Sequence, residues 1–127
     1  MNSKTKSFRE LIVWKKSMKL VLEVYKLTKN FPKSETYGLV SQIRRAAVGI
    51  PSNVAEGYLR RHAKEYSQFI NIAFASGAEL ETQLELSKEL SYISISEYDS
   101  IISLLNEIMR MLNKLSQVLR SASQTNS

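Results

Sequence analysis

The sequence has 127 residues, 43% of them hydrophobic, with 18 Lys and Arg against 12 Asp and Glu for a formal charge of +6. That length suits one domain burying about two-thirds of its unfolded surface, and it leaves no room for a second. The absence of cysteine excludes disulfides and thiolate metal sites.

Residues 1–7 read as a mobile basic arm carrying Lys4 and Lys6. The next stretch, LIVWKKSMK, is interrupted by Lys15, Lys16 and Lys19, so it makes no signal peptide. No stretch reaches transmembrane length, and the chain is expected to be cytoplasmic with no membrane partner. A first helix is expected from Phe8–Leu11 onward. Its wide apolar stripe includes Val13, Trp14, Leu20, Val21, Val24 and Leu27, with Lys15, Lys19, Lys26 and Lys29 on the other side. Phe31-Pro32 stops it, because the residue before a proline is pushed out of the helical region.

Ser34 is the expected N-cap of the second helix, with Glu35 near its positive end. Leu39, Ile43, Ala47, Ile50, Val54 and Tyr58 recur at helical steps, and small residues interleave with them: Ala46, Gly49, Ser52, Ala55 and Gly57. Such residues allow a close helix approach. Pro51 lies inside this pattern, yet the stripe keeps its phase across it, which predicts a kinked helix rather than a break.

His62 to Glu65 forms a polar connection to a third helix over about residues 63–92, patterned by Tyr66, Phe69, Ile70, Ala73, Gly77, Leu80, Leu84 and Ser87. Ser96 with Asp99 resembles a capping box that opens the fourth helix. There Tyr98, Ile101, Leu105, Ile108, Leu112, Leu115 and Leu119 keep the cleanest heptad in the chain. The predicted architecture is all-α: an antiparallel up-down four-helix bundle over residues 8–120, followed by a disordered tail, 121–127.

The residues also carry a family resemblance. LIVW at Leu11–Trp14, Phe31-Pro32, Tyr37-Gly38-Leu39, Gln42, Arg44-Arg45-Ala46-Ala47, IPSNVAEG at Ile50–Gly57, Glu65-Tyr66 and Glu79-Leu80-Glu81 together resemble proteins encoded in intervening sequences of bacterial 23S ribosomal RNA genes. Gly49 departs from that pattern, standing where the family more often has Ser. The resemblance implies an antiparallel four-helix bundle, commonly a homopentamer, without established enzymatic activity. It also implies kinship with accessory proteins of diversity-generating retroelements, which are similar basic pentamers that engage RNA and a reverse transcriptase.

Charge is unevenly placed. Residues 1–64 hold 14 Lys and Arg against 4 Glu, whereas residues 65–127 hold 4 against 8 Asp and Glu. A basic half attracts polyanions, and it can equally dock on the acidic half of a second copy. Candidate nucleic-acid contacts are Lys15, Lys19, Lys26, Lys29, Lys33, Arg44, Arg45, Arg60, Arg61 and Lys64, with Tyr58 or Tyr66 able to stack on exposed bases. Arg45 also suits an internal pair with Glu56 or a subunit contact.

Asn53, Glu56 and Glu79 read as a structural polar network between the second and third helices. His62, beside Arg61 and Lys64, reads as a solvated loop residue. No Glu-x-x-His pair of the di-metal bundles is present, so neither a metal nor another cofactor is expected, and no small-molecule substrate. The expected function is non-enzymatic: a homo-oligomeric helical module, a homopentamer on the resemblance, that binds RNA or a ribonucleoprotein. The alternative is an interaction protein that oligomerises and recruits a protein partner without nucleic acid.

Overall fold

The computed structural model describes residues 6–125. Most of the expected basic arm, residues 1–5 with Lys4, lies outside them, as do residues 126–127. Among the described residues the elements are all helical: α1 (Ile12–Thr28), α2 (Leu39–Tyr58), α3 (Ala63–Glu89) and α4 (Ile95–Thr125), with short 3-10 turns at Phe8–Glu10 and Lys33–Glu35.

Each helix packs on its neighbours in the chain, and α1 closes the bundle against α4. Contacts run in opposite sequence directions along α2 and α3, and again along α3 and α4. Gly57 lies against Tyr66 and Phe69, and Gly49 against Ser76. Further on, the Ser116 hydroxyl donates to Asn71 Oδ1 at 2.9 Å and the Tyr98 hydroxyl to Glu85 Oε1 at 2.7 Å. The core is one cluster that takes residues from every helix, including Leu20, Val24, Ile43, Ile50, Ile70, Leu80, Leu84, Leu105 and Leu112.

Two buried hydroxyls of α1 are satisfied locally: Ser17 donates to the Val13 carbonyl at 2.6 Å and Thr28 to that of Val24 at 2.8 Å. α2 runs unbroken through buried Pro51. Its N-cap differs from expectation. Ser34 falls in the 3-10 turn, Gly38 takes the cap position, and the Glu35 carboxylate reaches forward to accept from the Leu39 N–H at 3.2 Å. The other Glu35 oxygen accepts from the Tyr92 hydroxyl at 2.9 Å, which raises the Tyr92 pKa above the usual tyrosine value.

α3 ends three residues earlier than the apolar pattern suggests. Ser91 adopts a left-handed backbone, φ 61°, and the Tyr92 N–H bonds back to the Ser87 carbonyl at 2.9 Å while the Ser91 N–H bonds to that of Lys88. Those two bonds make a Schellman stop. The capping box of α4 is therefore Ser94 with Glu97, not Ser96 with Asp99: the Glu97 N–H donates to Ser94 Oγ at 3.0 Å, and the Ser94 N–H to Glu97 Oε1 at 2.8 Å. At its other end α4 continues to Thr125, past residue 120 where the pattern had placed its end.

Candidate nucleic-acid interface

The apolar stripe of α1 turns inward and leaves Lys15, Lys19 and Lys26 exposed on the opposite face. Lys29, at the C-cap, and Lys33, in the following turn, continue the row and are exposed as well. From Lys15 to Lys29 the row spans about 21 Å at the helical rise per residue. Among the described residues the ion pairs are Lys16–Glu107 at 2.9 Å, Glu56–Arg60 and Glu85–Lys88 at 3.1 Å, so none of the five lysines is neutralised by a carboxylate. Lys19 and Lys26 also edge a cleft of about 490 Å³ between α1 and the start of α4, beside Asn30, Ser96 and Ser100, with Glu23 and Glu97.

The arginines of the candidate set behave differently. Arg44 is half-buried: its Nε donates to Thr28 Oγ1 at 2.9 Å, a terminal nitrogen reaches the Tyr25 carbonyl at 3.4 Å, and its guanidinium lies 4.3 Å from the Tyr25 ring centre. Such a planar, stacked group ties α2 to α1. Arg60 pairs with Glu56 one turn back and covers the Phe69 ring at 4.7 Å. Arg45, Arg61 and Lys64 remain exposed.

Asn53, Glu56 and Glu79, expected to form a polar network, make no hydrogen bond to one another among the described residues. Asn53 donates to the Gly49 carbonyl of its own helix at 2.7 Å, and Glu56 is taken by Arg60. Glu79 is exposed and lines a groove between α2 and α3 with Gln42, Arg45, Ala46, Gly49, Ser76 and Gln83. Arg45 therefore faces this groove, while the Glu56 carboxylate it was expected to reach is bound elsewhere.

Tyr58 and Tyr66, candidates for base stacking, meet each other edge to face at 6.2 Å. Burial pushes the Tyr66 pKa up to about 12, with Tyr58 adding to the rise. On the opposite flank of α3, hydrogen bonds from Tyr98 and Lys88 hold the Glu85 carboxyl below the usual range, and the bond to Glu85 pushes Tyr98 up to about 12. His62 is exposed at the N-cap of α3 and makes no capping bond with its side chain. Among the described residues no three His, Asp or Glu side chains converge to hold a metal ion. Nor, among those residues, is any helix long and apolar enough to cross a membrane.

Sequence reasoning missed the partners of Arg44, Tyr25 and Thr28, which lie 19 and 16 residues away. A hydroxyl at the edge of the α1 stripe was the signal for them. It also missed Arg120, which shares a notch with Lys64.

Fold and surface together define a class, a four-helix bundle whose α1 presents a row of exposed lysines. More particularly, residues 9–114 match the 23S rRNA-intervening sequence protein family, and the chain belongs to it. A crystal structure of a protein of unknown function from the S23 ribosomal protein family of Bacteroides thetaiotaomicron is similar, with 26% identity and a TM-score of 0.75. The similarity covers 83% of this chain and 98% of that one. No curated protein matches the chain.

Proposed function

We propose that the chain is a non-enzymatic, homo-oligomeric bundle module that binds RNA or a ribonucleoprotein through the lysine row of α1. The observation that carries this reading is the exposed, un-neutralised run Lys15, Lys19, Lys26, Lys29 and Lys33. Each lysine placed on a phosphate releases condensed counterions, so affinity comes with a steep salt dependence. Arg45, Arg61 and Lys64 extend the cationic surface. Membership of a family named for 23S rRNA intervening sequences supports RNA as the polyanion.

Oligomerisation is supported by apolar side chains left in solvent on several faces. Ile12, Leu22, Leu59, Ile95 and Val118 are all more than half exposed. A closed ring, five-fold on the resemblance, buries part of this surface and repeats the lysine row, which raises affinity for a long polyanion by about 10²-fold or more when several copies engage together. Filter binding to structured RNA across a salt series, with light scattering on the same sample, tests the reading. Saturable binding that weakens steeply with salt, by a particle of several chains, is the expected result. A monomer mass at micromolar concentration, or no saturable binding at low salt, overturns it.

A further inference from the structure

Among the described residues six polar ones are buried: Ser17, Thr28, Ser67, Gln83, Ser87 and Ser116. Four of them have hydrogen-bond partners. Ser17, Thr28 and Ser87 donate to the carbonyl four residues earlier, and Ser116 donates to Asn71. Two have none among the described residues. Gln83 Oε1 is sealed from solvent, so its lost bond is a cost to the fold and offers a ligand nothing. Ser67 is different, because it is only 6% exposed yet lines an open notch of about 250 Å³ where the start of α3 meets the end of α4.

The remaining lining residues are Lys64, Gln68, Arg120, Ser123 and Gln124. Both cations are exposed, and among the described residues they belong to none of the ion pairs and no carboxylate lines the notch. Lys64 sits in the first turn of α3, whose N-cap supplies no side-chain acceptor, so the positive end of a 27-residue helix adds to the field. The carbonyls that end α4 oppose it, and two full charges outweigh partial ones. A serine that is 6% exposed, whose hydroxyl has no partner among the described residues, lines the same notch as one guanidinium and one ammonium, a donor set that matches a compact dianion.

We propose that this notch binds a phosphate monoester. Such a group carries a charge of about −1.5 to −2 near pH 7 and three acceptor oxygens. Arg120 offers a bidentate fork, and Lys64 and Ser67 supply the other donors. An internal phosphodiester, with one charge and two free oxygens, matches the pair of cations less well. The monoester can belong to the end of an RNA strand or to a small phosphorylated molecule. The site is separate from the α1 row and holds whether or not that row binds RNA.

Titration calorimetry of the 127-residue chain with inorganic phosphate, at low ionic strength with chloride as control, is the test. Saturable binding at one site per subunit is expected, weakened about tenfold in Arg120→Gln and more modestly in Ser67→Ala. Circular dichroism verifies that both variants are folded, and glutamine substitution of Lys15, Lys19, Lys26 and Lys29 leaves phosphate binding intact. An oligoribonucleotide with a 5′-phosphate is then compared with its 5′-hydroxyl twin. Preference for the phosphorylated strand, lost in Arg120→Gln, assigns the group to a nucleic-acid end; equal binding of the twins beside saturable phosphate assigns it to a small molecule. No saturation by about 10 mM phosphate, or affinity unchanged in both Arg120→Gln and Ser67→Ala, overturns the proposal.

Discussion

The seam between α2 and α3 and the outer face of α1 are the two extremes of this molecule. At the seam, small residues let the helices close up. A Cβ added at Gly57 would stand 2.9 Å from both Phe69 Cβ and Tyr66 Cδ1, and one at Gly49 would stand 2.8 Å from Ser76 Oγ. Two arginines are drawn into structure, Arg44 on α2 by Tyr25 and Thr28 and Arg60, just past its end, by Phe69 and Glu56, whereas Arg45 stays exposed. On the outer face of α1, Lys15, Lys19 and Lys26 meet solvent, while Lys16 at its edge pairs with Glu107. Charge of the same sign thus does two jobs, and the difference follows from side-chain chemistry: a planar guanidinium stacks and forks, whereas a flexible ammonium keeps its hydration.

Breaking the seam should have the largest effect. Gly57→Leu forces a bulky side chain onto the Tyr66 backbone and is expected to destabilise by about 1 to 3 kcal/mol or more, read as a drop in thermal midpoint. An unchanged melt would remove the close approach from the account. Arg44→Ala follows, at about 1 to 2 kcal/mol, because it deletes a charge-assisted bond to Thr28 and the contact with Tyr25. Its signature is lost stability with RNA affinity nearly unchanged, and the reverse pattern would return Arg44 to the interface. Ser94→Ala removes one half of the α4 capping box and should lower stability by about 1 kcal/mol, while Ser96→Ala should do little. Equal effects of the two would put the cap elsewhere.

The helices were legible because each carries one continuous apolar stripe. Ile101, Leu105, Ile108, Leu112 and Leu119 were all placed on the inner face of α4, and all are buried. The boundaries were harder to read. Ser94–Glu97 and Ser96–Asp99 both fit a capping box, and what decides between them is the left-handed turn at Ser91, a residue type that gives no such signal. The lysine row was legible for the same reason as the core, since it occupies the positions the stripe leaves out. The fate of Arg44 and Arg60 was not, because their partners are set by packing between helices. The notch at Ser67 and Arg120 joins residues from the two ends of the chain's second half, which local spacing cannot bring together.

The smallest expected effect is on pH dependence. Folding raises the pKa of Tyr66 and Tyr98 from the ordinary value of 10 to about 12. The protonated phenol is therefore favoured in the folded state. Stability should be flat up to about pH 10 and fall as pH rises toward 12, as the unfolded chain ionises first. Tyr66→Phe should make that alkaline decline shallower, in thermal melts taken between pH 9 and about 12. A decline of undiminished steepness would place its origin elsewhere.

The most direct test of the lysine face is the salt slope of RNA binding, compared between two variants of this chain. Substituting Lys15, Lys19, Lys26 and Lys29 by glutamine should cut the slope of log K against log salt by about 3 to 4 if each lysine engages one phosphate. Stability should hardly change. Arg44→Ala with Arg60→Ala should lower stability and leave the slope intact. A slope that persists in the lysine variant and collapses in the arginine variant would contradict the account.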